Sequence, residues 1–245
     1  MIARPSLLSP PPALLEGASL FLDLDGTLVD FVIDPSAIHV DQRLRTLLRD
    51  LWHRLDGRLA ILSGRSLDDV ATQLDLEGMA MAGSHGLERR SSDGALTRPT
   101  LPPGFDSAVG QARAFAKTHD LLLEVKAAGV ALHYRESQHA EPTVDRFARA
   151  LAANSGLELQ EGKCVRELRV PGADKGDAVR AFMAEPPFRL GSPIVMGDDL
   201  TDEHAFSAAD GLGGCGILVG EPRPTAARYI LPSVAATLDW LGGAQ

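Results

Sequence analysis

Cysteine is nearly missing from this chain. Cys164 and Cys215 are its only two in 245 residues, too few for a disulfide framework and compatible with a reducing cytoplasm. Neither has the neighbours of a metal or redox motif, so burial is the default expectation for both. Long apolar runs are missing as well. No window approaches the roughly 20 apolar residues that cross a bilayer, and prolines break the opening "MIARPSLLSPPPALLEG" before a signal-peptide core can form. Basic charge is in short supply: 24 Lys and Arg face 33 Asp and Glu, for a net charge of −9. Such a chain makes a poor surface for nucleic acid or anionic membrane, and an anionic substrate must be drawn in by local cations. What is present is 44% apolar residues with a mean hydropathy of −0.01, the composition of a soluble globular protein with one large or two modest domains.

Strand and helix patterns alternate in the first half: "SLFLDLD", "VDQRLRTLLRDLWHRL", "RLAILSG", "SLDDVATQL" and "GMAMAGS". Ser66 is placed to cap the second helix, with Asp69 completing a capping box. The last third repeats the style with "KGDAVRAFMAE", "PIVMGDD", "TDEHAFSAA" and "GCGILVG". This predicts βαβ units, a parallel sheet and helices on both faces. Between them, after the prolines of "LTRPTLPPGF", come a helix, the strand pair "LLLEVKAAGVALHYRE", a second helix and the strand pair "LELQEGKCVRELRV". The expectation is an α/β, Rossmann-like core over 19–101 and 171–245, an inserted small α+β domain over 102–170, and a flexible arm over 1–18. With about 18 residues ahead of its first strand, the chain reads as free-standing. In the insert, Glu124 with Lys126, His133 with Arg135, and Lys163 with Glu167 and Arg169 share strand faces by the period of two. A binding face and a solvated sheet face both fit that pattern.

Several apolar strands end on polar residues, and ligands of open α/β sheets bind at such carboxyl ends. Asp23 and Asp25 follow "LFL", Ser63-Gly64-Arg65 follow "LAIL", Gly197-Asp198-Asp199 follow "IVM", and Lys175 opens a helix shortly before. Asp23 and Asp25, two apart on one strand face, repel unless a cation or shared proton holds them. Taken singly, each segment has a structural reading: a turn, an N-cap cluster or a solvated lysine. Taken together they bring Asp23, Asp25 and Asp198 to one rim, an oxygen-rich site suited to Mg2+ and unlike a Cys/His zinc site. Lys175, Ser63 and the backbone N–H groups near Gly26 and Thr27 can hold phosphoryl oxygens. Asp23 is then placed to attack phosphorus, and Asp25 to protonate the leaving oxygen and later deprotonate water.

In this order, "DLDGT", "SGR", "KG" and "GDDLTDE" resemble the four motifs of the haloacid-dehalogenase-like (HAD) phosphatase superfamily. "GDDLTDEHAF", "LSGRSLDDV", "AGSHGLERR", "EVKAAGVALHYR" and "GKCVRELRV" are similar to its trehalose-6-phosphate phosphatase branch, covering the chain from about Ser19 to Gly220. The resemblance implies a HAD core with a mobile cap over 102–170, a nucleophile at Asp23 and a general acid/base at Asp25. It implies Mg2+ on Asp23, the backbone carbonyl of Asp25 and Asp198, with Asp199 or Asp202 in the outer shell. It further implies phosphate held by Gly26, Thr27, Ser63, Gly64 and Lys175, and sugar held by cap residues Glu124, Lys126 and Glu167. His85 and Gly86 at the rim fit a substrate contact or a structural turn, and Arg65 fits the cap or a neighbouring carboxylate.

The reading is therefore a cytoplasmic, monomeric, Mg2+-dependent phosphatase that releases trehalose and phosphate from trehalose 6-phosphate through an aspartyl-phosphate. Its one partner is a small-molecule sugar phosphate, with no nucleic acid and no membrane. The rivals are a related phosphatase of sucrose phosphate or mannosyl-phosphoglycerate and a non-catalytic sugar-phosphate sensor. The sensor reading is weakened because Asp23 and Asp25 are both present.

Overall fold

The computed structural model describes residues 7–30, 40–162 and 164–243. Lys163, expected on a strand face with Glu167, lies outside these. The chain divides into two compact units, one of residues 1–97 with 173–245 and one of 98–172.

The larger unit opens with β1 (Ala18–Asp23), α1 (Gln42–Arg54), β2 (Leu59–Leu62), α2 (Leu67–Leu74), β3 (Ala80–Gly83), β4 (Glu88–Arg90) and β5 (Leu96–Thr97). The smaller unit follows with α3 (Phe105–His119), β6 (Leu122–Lys126), β7 (Gly129–His133), α4 (Glu141–Ser155), β8 (Glu158–Gly162) and β9 (Val165–Arg169). The chain then completes the larger unit with α5 (Lys175–Met183), β10 (Ser192–Gly197), α6 (Glu203–Gly211), β11 (Cys215–Val219), β12 (Tyr229–Leu231) and α7 (Val234–Gly243).

In the larger unit, eight strands lie in the order β12-β11-β10-β1-β2-β3-β4-β5. The first six are parallel, and β4 and β5 add an antiparallel edge. β1 is buried along its whole length, as a central parallel strand with two covered faces must be. Its period of two sorts its side chains between two cores. Leu20 and Leu22 pack with Leu48, Val70 and Leu241 of α1, α2 and α7. Phe21 packs on the other side with Val179, Phe182 and Phe206 of α5 and α6.

Three details depart from expectation. β1 stops at Asp23, so Asp25 stands not on its strand face but in the following turn, where the Gly26 N–H donates to the Val29 carbonyl at 2.7 Å. Ser66 accepts the Asp69 N–H at 3.1 Å as foreseen, but the Asp69 carboxylate returns to Arg65 instead of completing the box. The stretch expected as a flexible arm is docked over residues 7–17. Leu8 bridges to Tyr229 and Leu15 is buried in the core. The Pro10 carbonyl accepts the Trp240 indole N–H at 3.1 Å.

The smaller unit is a four-stranded antiparallel sheet in the order β6-β7-β9-β8, with α3 and α4 burying Leu132, Val144 and Ala116 on one side. Arg135 does not share a strand face with His133. β7 ends at His133 and the chain turns into a short 3-10 helix over Arg135–Ala140, anchored by the buried Tyr134.

Candidate active site

β1 has β10 on one side and β2 on the other, so the strand order reverses at β1 and a crevice opens at the carboxyl ends of these strands. Asp23 follows Phe21 by two and therefore faces α5. The first residue of that helix, Lys175, reaches it. The Lys175 Nζ donates to Asp23 at 2.7 Å and to Asp202 at 2.6 Å, all three side chains being buried. Asp174 fixes the start of α5 through a reciprocal capping box with Asp177. A buried ammonium persists only when paired: burial pulls the pKa of Lys175 down, but Asp202 and Asp23 outweigh it and the net shift is upward.

Carboxylate oxygens of Asp23, Asp198 and Asp202 lie within 4.8 Å of one another. Burial pushes Asp23 well above the usual carboxylate range, Lys175 opposes this, and the charges of Asp202 and Asp198 add to it. Asp198 is pushed up to about 7 by burial, then by Asp202 and Asp199. Three carboxylates around one ammonium carry surplus negative charge, and the donor set is all oxygen, which fits a hard divalent cation. Gly26 makes the arrangement possible twice over. Its φ of +85° suits glycine, and a Cβ there would lie 2.2 Å from the Asp198 carboxylate. Asp202 rather than Asp199 stands in the cluster. Its second oxygen accepts the Asp199 N–H at 3.0 Å, while the Asp199 carboxylate is exposed and accepts the Leu200 N–H at 2.6 Å.

Asp25 is compensated separately. The buried Arg65 grips it with a two-pronged fork, Nε at 2.7 Å and Nη2 at 2.8 Å, and its Nη1 reaches Asp69 at 3.0 Å. Burial works against the guanidinium charge, but Asp25 and Asp69 raise its pKa overall. Of the two openings the sequence left for Arg65, the neighbouring carboxylate is the contact observed. The repulsion between Asp23 and Asp25 is thus relieved by two protein cations, Lys175 and Arg65, one for each.

Ser63 is fully buried, and its Oγ accepts the Arg65 N–H at 3.1 Å. A hydroxyl that accepts still has its proton to donate. Thr27 is also fully buried, and its Oγ1 has no hydrogen-bond partner, a costly state for a hydroxyl unless a ligand satisfies it. The His85 ring lies so close to Gly64 that a Cβ there would sit 2.6 Å from it, and His85 itself is left-handed at φ +56°. Gly86 lies against the carbonyl of Asp174, ahead of Lys175. The structure thus joins His85 and Gly86 to the Ser63 and Lys175 segments.

One residue escaped the sequence reading. Arg223, in the loop between β11 and β12, donates to the carbonyls of Asp199 at 2.7 Å and Asp198 at 3.3 Å and pairs with Glu203. With Gly26, Asp30, Asp198 and Glu221 it borders a cleft of about 400 Å³. Nothing periodic in "GEPRPTAARY" marks it.

On the sheet face away from its helices the smaller unit carries rows of polar residues, while Arg166 on the helix side pairs with Glu141 and Asp145 of α4. The register aligns Glu124, Ala131 and Glu167 across β6, β7 and β9, and Lys126, Gly129 and Arg169 in the next row. Lys126 pairs with Glu167 at 3.0 Å, and Glu124 with His133 at 3.1 Å. Burial alone would raise the pKa of Glu124, but the His133 contact and the charge of Lys126 prevail and lower it. The thiols differ: Cys215 is buried, which raises its pKa, while Cys164 is half-buried in a hairpin.

The trehalose-phosphatase family profile matches residues 21–235. The chain is 36% identical over 226 residues to a probable trehalose-phosphate phosphatase of Sinorhizobium fredii, covering 91% of this chain and 85% of the relative. It is 35% identical over 237 residues to the trehalose-6-phosphate phosphatase of Escherichia coli, covering 96% and 89%. The C-terminal domain of Candida albicans trehalose-6-phosphate phosphatase superposes with a TM-score of 0.82 over 99% of each chain at 19% identity, a likeness of fold.

Proposed function

The chain belongs to the trehalose-phosphatase family, and from that premise we propose that it hydrolyses trehalose 6-phosphate to trehalose and phosphate. The observation that carries the proposal is the buried Lys175 spanning Asp23 and Asp202 beside Asp198, with Asp25 held by the Arg65 fork in the next turn.

An oxygen of the Asp23 carboxylate attacks phosphorus, and the bond from phosphorus to the sugar oxygen breaks. Asp25 gives its proton to that oxygen. Asp25 then takes a proton from water, the water oxygen attacks the aspartyl-phosphate, and the bond from phosphorus to Asp23 breaks. Lys175, the Ser63 hydroxyl, the orphan Thr27 hydroxyl and backbone N–H groups at Gly26 and Gly64 hold the phosphoryl oxygens. Arg65 is a positioning residue: both Asp25 oxygens are in its fork, so one must be released for each proton transfer. Asp23 and Asp198 would hold Mg2+ with the Asp25 carbonyl, and Asp202 and Asp199 would orient the set from outside. When bound, the cation neutralises the carboxylates and polarises the phosphoryl group.

Residues 98–172 serve as the cap. Glu124, Lys126 and Glu167 offer carboxylate and ammonium groups to sugar hydroxyls, which both donate and accept, and an unmatched hydroxyl on another sugar is penalised there. His85 and Gly86 border the substrate. Two free thiols suit a cytoplasmic setting. Among the described residues no helix is long and apolar enough to cross a membrane.

Phosphate release from trehalose 6-phosphate, sucrose phosphate, mannosyl-phosphoglycerate and p-nitrophenyl phosphate, with Mg2+ and with EDTA, tests this. Turnover of trehalose 6-phosphate above the others, lost in EDTA and restored by Mg2+, is expected. Preference for another sugar phosphate would overturn the substrate, full turnover in EDTA the cation, and no turnover of any ester the enzyme reading in favour of a sensor.

A further inference from the structure

The Asp198-Asp199 turn is pinned from two sides. On its N–H side, Asp202 accepts from Asp199. On its carbonyl side, the Arg223 Nη2 takes both Asp199 and Asp198 oxygens, at 2.7 and 3.3 Å. The guanidinium is itself anchored. Its Nη1 pairs with Glu203 and donates to the Pro224 carbonyl at 3.3 Å, and the other Glu203 oxygen accepts the Ala226 N–H at 2.7 Å. The Asp198 carboxylate lies against Gly26, where no Cβ fits, so its direction is set chiefly by the backbone that carries it. A shift of that turn by a few tenths of an ångström either collides with Gly26 or draws the carboxylate away from Asp23 and Asp202.

From this we infer that Arg223, braced by Glu203, is a positioning residue for the divalent-cation site. It fixes the turn whose carboxylate the cation needs, and it turns the carbonyls of that turn onto a guanidinium and away from the ligand set. The inference rests on the cation reading given above. Partners that orient ligands in this way are worth about 10- to 100-fold in metal affinity.

The test is calorimetric titration of the cation-free chain with Mn2+, beside thermal unfolding in EDTA, for wild type, Arg223→Gln, Arg223→Lys and Glu203→Gln. Arg223→Gln is expected to weaken Mn2+ binding about tenfold while its cation-free melting temperature stays within about 2 °C of wild type. Arg223→Lys, which retains charge but loses the fork, should fall between them, and Glu203→Gln, which still accepts from Arg223, should lose least. Raising Mg2+ should restore turnover in Arg223→Gln. Unchanged Mn2+ affinity in Arg223→Gln, or a drop in cation-free stability that accounts for the weakened binding, overturns the inference. If Arg223→Gln does not fold, the same two numbers for Arg223→Lys decide. A wild type that takes up no Mn2+ overturns the cation reading and the inference with it; binding in wild type that is unchanged in the variants overturns the inference alone.

Discussion

The two units handle polar residues in opposite ways. In the larger one, charged groups gather at and just past the carboxyl ends of the strands and find partners far away in sequence: Asp23 with Lys175, Asp25 with Arg65. In the smaller one they sit in rows across one face of an antiparallel sheet, Glu124 and Glu167 flanking Ala131, and pair across that face, Lys126 of β6 reaching Glu167 of β9 over the small residues of β7. The first arrangement ties the chemistry to the integrity of the core. The second permits residues on the face to be exchanged while Leu132 and Val130 continue to pack on the opposite side. On the proposed function, reaction and substrate choice would be lodged in separate structural units.

Asp23→Asn should break this comparison most sharply. Turnover of every phosphate ester should fall by about 10³-fold or more, with an unchanged circular dichroism spectrum. Lys175→Met tests whether the larger unit's charges are structural as well. Removing one partner from a buried pair costs about 3–5 kcal/mol, and urea unfolding in EDTA should show it. Glu167→Ala should lower kcat/KM for trehalose 6-phosphate about 10²-fold while p-nitrophenyl phosphate loses less than about threefold; equal losses would make Glu167 structural. The smallest effect concerns pH. The folded pKa of Glu124 lies below its ordinary 4.5, so its stabilisation is present above that value and is lost as pH falls through the folded pKa. Thermal unfolding below about pH 4.5 should therefore be steeper in pH for wild type than for Glu124→Gln.

What could be read from the sequence was what local rules control. Leu20, Phe21 and Leu22 alternate because both faces of β1 are covered, and the polar residues following them mark strand ends. Ser66 capped α2 as its spacing implied. The Asp25 partner of Arg65 was not decidable locally, because it is 40 residues away, whereas Asp69 lies one helical turn on. Arg223 gave no signal, since it acts through backbone carbonyls in another loop. β12 and α7 were missed because three residues and the Ala- and Gly-rich "VAATLDWLGG" show little period. The proline-rich opening read as a loose arm, yet proline retains its carbonyl, and Pro10 uses it to accept from Trp240.

The sheet order also has a consequence for how the chain comes to be folded. β1 pairs with β10 from Ala18 opposite Ser192, a separation of 192 − 18 = 174 residues that contains the whole of the smaller unit. As the chain leaves the ribosome, β1 and β2 can meet early, but the seat of Asp198 and Lys175 is absent until the last third has emerged. The half-made sheet presents an open parallel edge along β1 throughout that interval, and pairings so remote are slow to form. Synthesis thus completes the smaller unit before the strand ends that carry Asp23 and Asp198 can meet, leaving the central strand as the edge that aggregation or a chaperone would find first.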